Sequence, residues 1–100
     1  MTEEDLKQMV TEYPDSPMGW FSLGRHYLDA KRFADAVPQF EQAVKLDPAY
    51  AAAWVALGDA HNGAGEPEKA RAAWKSALET PHGKKDMSLQ ADLEQRLDDL

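Results

Sequence analysis

One hundred residues carry a formal net charge of −7, 43% hydrophobic side chains and no cysteine. A chain of this size makes one domain with a modest core, and without cysteine it has no disulfide framework, thiolate nucleophile or thiolate metal site. Its negative charge repels phosphate backbones and anionic membranes, which sets nucleic acid and membrane surfaces aside as partners.

The opening Met1-Thr2-Glu3-Glu4-Asp5 is acidic where a secretory signal is basic. No apolar run approaches the roughly 20 residues of a membrane span, so a soluble cytoplasmic protein is expected. Residues 2–13 read as a first helix, with Thr2 and Asp5 spaced like a capping pair. Ser16 as N-cap and Pro17 at the first helical position open a second helix that runs to about Leu28. Ala30-Lys31-Arg32 is a short turn. The next helix runs from Phe33 to Leu46 and ends at Asp47-Pro48, because the residue before proline disfavours helical backbone. Pro38 lies past the first turn of that helix, so a mild kink is expected.

A fourth helix is predicted over 49–61, followed by the breaker-rich Asn62-Gly63-Ala64-Gly65-Glu66-Pro67. Pro67 suits the first turn of a fifth helix that stops at about Glu79, before Pro81. At the tail, Leu89, Leu93, Leu97 and Leu100 form an apolar stripe, with Asp92, Glu94, Arg96, Asp98 and Asp99 around it. This reads as a capping helix over the last repeat, with pairing to another chain as its alternative use. The expectation is six helices, equivalent to three hairpins.

The chain repeats itself at 34 residues. Trp20 falls on Trp54, Leu23 on Leu57, Gly24 on Gly58, Ala36 on Ala70, Phe40 on Trp74 and Ala43 on Ala77. The head of the chain joins the frame: Leu6 falls on Phe40, Val10 on Val44, Pro14 on Pro48. Two glycines in helix interiors each cost about 1 kcal/mol against alanine, so something must offset them. Gly24 shares a face with Trp20, Leu23 and Tyr27. Glycine set against Ala36 and Ala43 of the partner helix is expected to allow close approach, with Trp20, Tyr27 and Phe40 filling wider gaps. Gly58 against Ala70 and Ala77 is expected to do the same.

These residues resemble the tetratricopeptide repeat. The first repeat, 17–50, carries Trp20, Leu23, Gly24, Tyr27, Ala36, Phe40 and Pro48. The second, 51–84, carries Trp54, Leu57, Gly58, Ala70 and Trp74, with His61 in the tyrosine place and His82 in the proline place. The resemblance implies an all-α fold of antiparallel helix-turn-helix repeats in a short right-handed superhelical stack, an α-solenoid. A partial repeat helix over 1–16 and a capping helix over 85–100 flank it.

No constellation for catalysis stands out. His61 reads as a packed, hydrogen-bonded core side chain, His26 as the edge of the core, and His82 as a turn residue. The carboxylates are scattered over helix surfaces, and "NGAGEP" lacks the lysine of a phosphate loop. No enzyme activity, cofactor or metal is expected.

The resemblance implies a concave surface made by the first helix of each repeat. On the helix wheel that face holds Met18, Phe21, Arg25 and Leu28 in repeat one, and Ala52, Val55, Asp59 and Asn62 in repeat two. Phe21 and Met18 are the adaptable apolar groups among them. Some family members clamp a peptide carboxylate with lysine and asparagine; Phe21, Arg25 and Ala56 stand on the corresponding face here, so that clamp is missing. The expected function is a non-catalytic module that binds a protein or peptide partner. The alternative is a self-associating unit that forms a homodimer.

Overall fold

A computed structural model describes all residues, 1–100. It is 80% helical and has no strand. The elements are α1 (Glu3–Glu12), α2 (Pro17–Asp29), α3 (Phe33–Leu46), α4 (Ala51–Gly63), α5 (Pro67–Glu79), α6 (Pro81–Lys85) and α7 (Met87–Asp98). No helix is long and apolar enough to cross a membrane.

Local chemistry explains most boundaries. The Thr2 hydroxyl accepts from the Asp5 amide while the Asp5 carboxylate accepts from the Thr2 amide, a complete capping box. Ser16 occupies the N-cap of α2 but its side chain makes no capping bond, so Pro17 supplies the start signal. α3 continues through Pro38. α4 begins two residues later than expected. The Asp47 carboxylate accepts from the Ala49 amide, which holds Asp47–Tyr50 in a turn. Lys31 and Gly65, 34 residues apart, both take left-handed backbone with φ of 60° and 79°; glycine does so freely and lysine against a steric penalty.

There are seven helices, not six. The extra one, α6, exists because Thr80 is a buried cap whose hydroxyl donates to the Ala77 carbonyl at 2.7 Å and accepts from the Gly83 amide at 3.0 Å. His82 therefore lies on a short helix rather than in a turn, and α6 crosses the boundary expected at 84/85.

α2 packs on α3 and α4 on α5; α3 joins the two hairpins by packing on α4. α1 lies on α2 as the second helix of a preceding hairpin would, and α7 lies on α5 and α6. The larger core cluster includes Leu6, Leu23, Tyr27, Phe40 and Leu57; a smaller one holds Ala70, Trp74, Ala77 and Leu93. Leu93 is fully buried, with Leu89 and Leu97 packed beside it. The leucine stripe thus covers the last repeat, apart from Leu100, which is exposed.

The nearest neighbours of the two glycines are aromatic rings rather than alanines. A Cβ on Gly24 would stand 2.7 Å from the Phe40 ring, and one on Gly58 would meet the Trp74 indole more closely still. Ala36, Ala43, Ala70 and Ala77 are fully buried on the partner helices, but the glycines seat the large rings of those helices. Burying a ring the size of Phe40 contributes about 1.5–3 kcal/mol, which exceeds the helix cost of one glycine.

Candidate functional site

The first helices of the two repeats carry the predicted partner face, and the structure treats its two halves differently. On α2, Met18 is 67% exposed. Arg25 is half-exposed and reaches Asp29 at 3.6 Å. Phe21 is half-buried; its ring lies 5.8 Å from Phe40 and 5.1 Å from Tyr50, centroid to centroid. Leu28 packs against the main core.

On α4, Ala52 and Asn62 are exposed, whereas Val55 packs against the cluster that contains Leu93. Asp59 accepts from Arg96 of α7 at 3.0 Å, and Arg96 also pairs with Asp92. Val55 and Asp59 are therefore engaged within the chain. Met18, Arg25 and the free edge of Phe21 remain open on α2, with Ala52 and Asn62 open on α4.

Charge is organised at the other edge of the stack. Glu3 of α1 receives Arg32 at 2.6 Å and Lys7 at 3.1 Å, stands 3.6 Å from His26, and accepts from the Tyr27 hydroxyl at 3.4 Å. Arg32 lies over the Tyr27 ring, 4.6 Å from its centre. The Lys7 and Arg32 hydrogen bonds hold the Glu3 carboxyl below its ordinary range. This cluster ties α1 to α2 and to the turn after it.

The three histidines lie apart, each beside a carboxylate: His26 beside Glu3, His82 with Asp86 at 3.1 Å, and His61 with Glu66 at 3.2 Å. His61 is 7% exposed and hydrogen-bonded through Nδ1, as its place in the repeat implied. Its bond, followed by that of Lys69, holds the Glu66 carboxyl below the usual range. Trp20 and Trp54 donate their indole N–H groups to the carbonyls of Pro14 and Pro48, at 2.9 and 2.8 Å.

A feature that the sequence reading missed lies away from the partner face. Trp54, Leu57 and His61 of α4 form the floor of a groove of about 290 Å³ between Glu41 of α3 and Lys69, Ala72, Ala73 and Ser76 of α5. Comparing the repeats position by position exposes the signal: Ala72, Ala73 and Ser76 stand where repeat one has Pro38, Gln39 and Gln42.

Comparison with known proteins agrees with this architecture. A tetratricopeptide repeat family model matches residues 21–83. A TPR repeat-containing protein of Pseudomonas aeruginosa is 38% identical over 87 residues, covering 85% of this chain and 83% of that protein. The anaphase-promoting complex subunit CDC16 of Saccharomyces cerevisiae is 35% identical over 72 residues; the match covers 70% of this chain but 8% of that subunit. The solution structure of a Bordetella parapertussis protein superposes with a TM-score of 0.80 at 31% identity, covering 98% of this chain and 85% of that one.

Proposed function

The chain belongs to the tetratricopeptide repeat family and is a protein–protein interaction module; on that premise we propose that it is a non-catalytic adaptor that docks an extended peptide or a helix on the face of its first helices. The observation that carries the reading is Met18, a large apolar group left 67% exposed on α2 beside Phe21 and Arg25. Exposed methionine next to an aromatic edge adapts to varied apolar side chains, and a neighbouring guanidinium fixes orientation. Because Val55 packs against the second core cluster and Asp59 is taken by Arg96 of α7, the binding energy concentrates on α2, with Ala52 and Asn62 as the floor and rim on α4. The acidic, cysteine-free composition suits work in the cytoplasm, and it suits a ligand with basic residues at its margins.

Site-specific photo-crosslinking tests the face. A benzophenone side chain at position 18 should capture the partner in a cell extract, and the same group at position 39 on α3 should not. Capture from position 39 with none from position 18 would reject the assignment. A crosslink at position 18 to a second copy of this chain, with a dimer mass in solution, would favour the self-associating alternative.

A further inference from the structure

We infer that the groove over Trp54 and His61 is a second binding site, independent of the first-helix face, and that it takes a tyrosine side chain of a partner polypeptide. The groove is a local departure from the repeat. Its α5 wall is made of Ala72, Ala73 and Ser76, whereas the same positions of α3 carry Pro38, Gln39 and Gln42, and no comparable groove opens between α1 and α3. Its base departs too: repeat one has Tyr27 where repeat two has the shorter His61. Small residues on one wall and a shortened side chain at the base vacate volume in one place.

The chemistry left at the base is specific. The His61 side chain is 9% exposed, and Nδ1 is committed to Glu66. Nδ1 is thus engaged within the chain, and Nε2 is the ring nitrogen left to a ligand. No protein group bonds Nε2. A ligand that enters the groove can pair a hydroxyl with this nitrogen. The Trp54 N–H is occupied by Pro48, so the indole offers only its ring; Leu57, Ala72 and Ala73 form the rest of the apolar lining, and Glu41, Lys69 and Ser76 form the polar part. A phenol matches this set: an aromatic ring for Trp54 and the alanines, and a hydroxyl, donor and acceptor alike, that pairs with Nε2. Trp54 and Ser76 also border a hollow of about 350 Å³ that continues past Pro48, Glu79 and Pro81, which gives the polypeptide bearing the tyrosine a path along α5.

Titration with N-acetyl-tyrosinamide, followed by nuclear magnetic resonance, tests the site. Saturable shifts are expected at Trp54, His61, Ala72 and Ala73, with Met18 and Arg25 unmoved. N-acetyl-phenylalaninamide should bind about fivefold more weakly, for want of one hydrogen bond. Ser76→Gln and, separately, Ala72→Gln refill the slot from half-buried and exposed positions; each should remove the saturable shifts while leaving the amide spectrum folded. Equal affinity for the two amides would overturn the hydroxyl–His61 contact. Shifts that persist in both refilled variants, that map to Met18 and Arg25, or that never saturate would overturn the site itself. Because the first-helix face is read through different residues, either site can fail without the other.

Discussion

Gly24 and Phe40 are one packing unit: the ring stands where the side chain of any other residue at position 24 would begin, 2.7 Å from its Cβ. Phe40 is fully buried, so the ring can move aside only by displacing the side chains around it. Gly24→Ala should therefore destabilise the domain, by about 1 kcal/mol after its gain in helix propensity, and Gly24→Leu by about 1–3 kcal/mol. Gly58→Ala should cost more than Gly24→Ala, because the Trp74 indole sits closer and its N–H also donates to the Val55 carbonyl at 3.2 Å. Chemical denaturation of the three variants checks the order. A leucine variant as stable as the wild type would refute the ring-on-glycine account.

Acid should loosen the N-terminal end. Lys7 and Arg32 lower the Glu3 carboxyl from an ordinary value of 4.5, and Thr2 lowers that of Asp5 from 3.8. A carboxyl depressed in the fold adds stability that is complete above its unfolded value and fades as pH falls through its folded value. The melting temperature should hold steady from pH 7 down to about 5 and fall below pH 4.5. Glu3→Gln should lower the neutral plateau and flatten the acid limb; an unchanged limb would show that Glu3 does not link α1 to the stack.

For α7, magnitudes decide what holds it. Leu93 is fully buried, and its truncation to alanine should cost about 2–5 kcal/mol. The Arg96–Asp59 pair is partly solvated and worth about 1 kcal/mol or less. Amide exchange should accelerate throughout α7 in Leu93→Ala and only modestly in Arg96→Ala, with α2 and α3 unchanged in both. If Arg96→Ala released α7 as fully as Leu93→Ala, the ion pair rather than the leucine would be its anchor.

Salt should raise stability. A net charge of −7 on 100 residues repels itself, and added salt screens that repulsion over distances longer than the ion pairs span. The melting temperature should climb between low and molar sodium chloride. Because salting-out also strengthens apolar burial, the slope should shrink in a charge-neutralised variant; an equal slope would assign the effect to burial alone.

The 34-residue frame made most of the fold legible, since Trp20/Trp54, Gly24/Gly58 and Phe40/Trp74 mark packing positions whatever their partners. α3 runs over the residues read for it, and α4 is displaced by only two. What the frame does not carry is which side chain lies opposite which. It showed that positions 24 and 58 are small, but not that a ring fills the space. α6 stayed hidden because Pro81 reads as the stop of the preceding helix and His82 as a turn residue, while the buried Thr80 hydroxyl that starts a new helix there is a tertiary feature. On the proposed partner face, the pattern placed Val55 and Asp59 beside Met18 and Arg25. Tertiary packing separates them: Val55 joins the cluster that holds Leu93, and Asp59 is taken by Arg96, and both α7 residues lie outside the repeat frame. The groove at His61 was in the sequence all along, in the contrast of Ala72, Ala73 and Ser76 with Pro38, Gln39 and Gln42.

The central claim is that partners bind through α2. Its most direct test is the affinity of a crosslinked and identified partner for four folded variants: Met18→Asp, Arg25→Ala, Gln39→Ala and Glu68→Ala, measured by calorimetry at fixed salt. Met18→Asp should weaken binding by about 2 kcal/mol or more, since it places a charge at the centre of the contact. Arg25→Ala should mainly slow association. Gln39→Ala and Glu68→Ala, on the second helices, should bind like the wild type. Wild-type affinity for Met18→Asp, together with lost binding in Gln39→Ala or Glu68→Ala, would contradict the account.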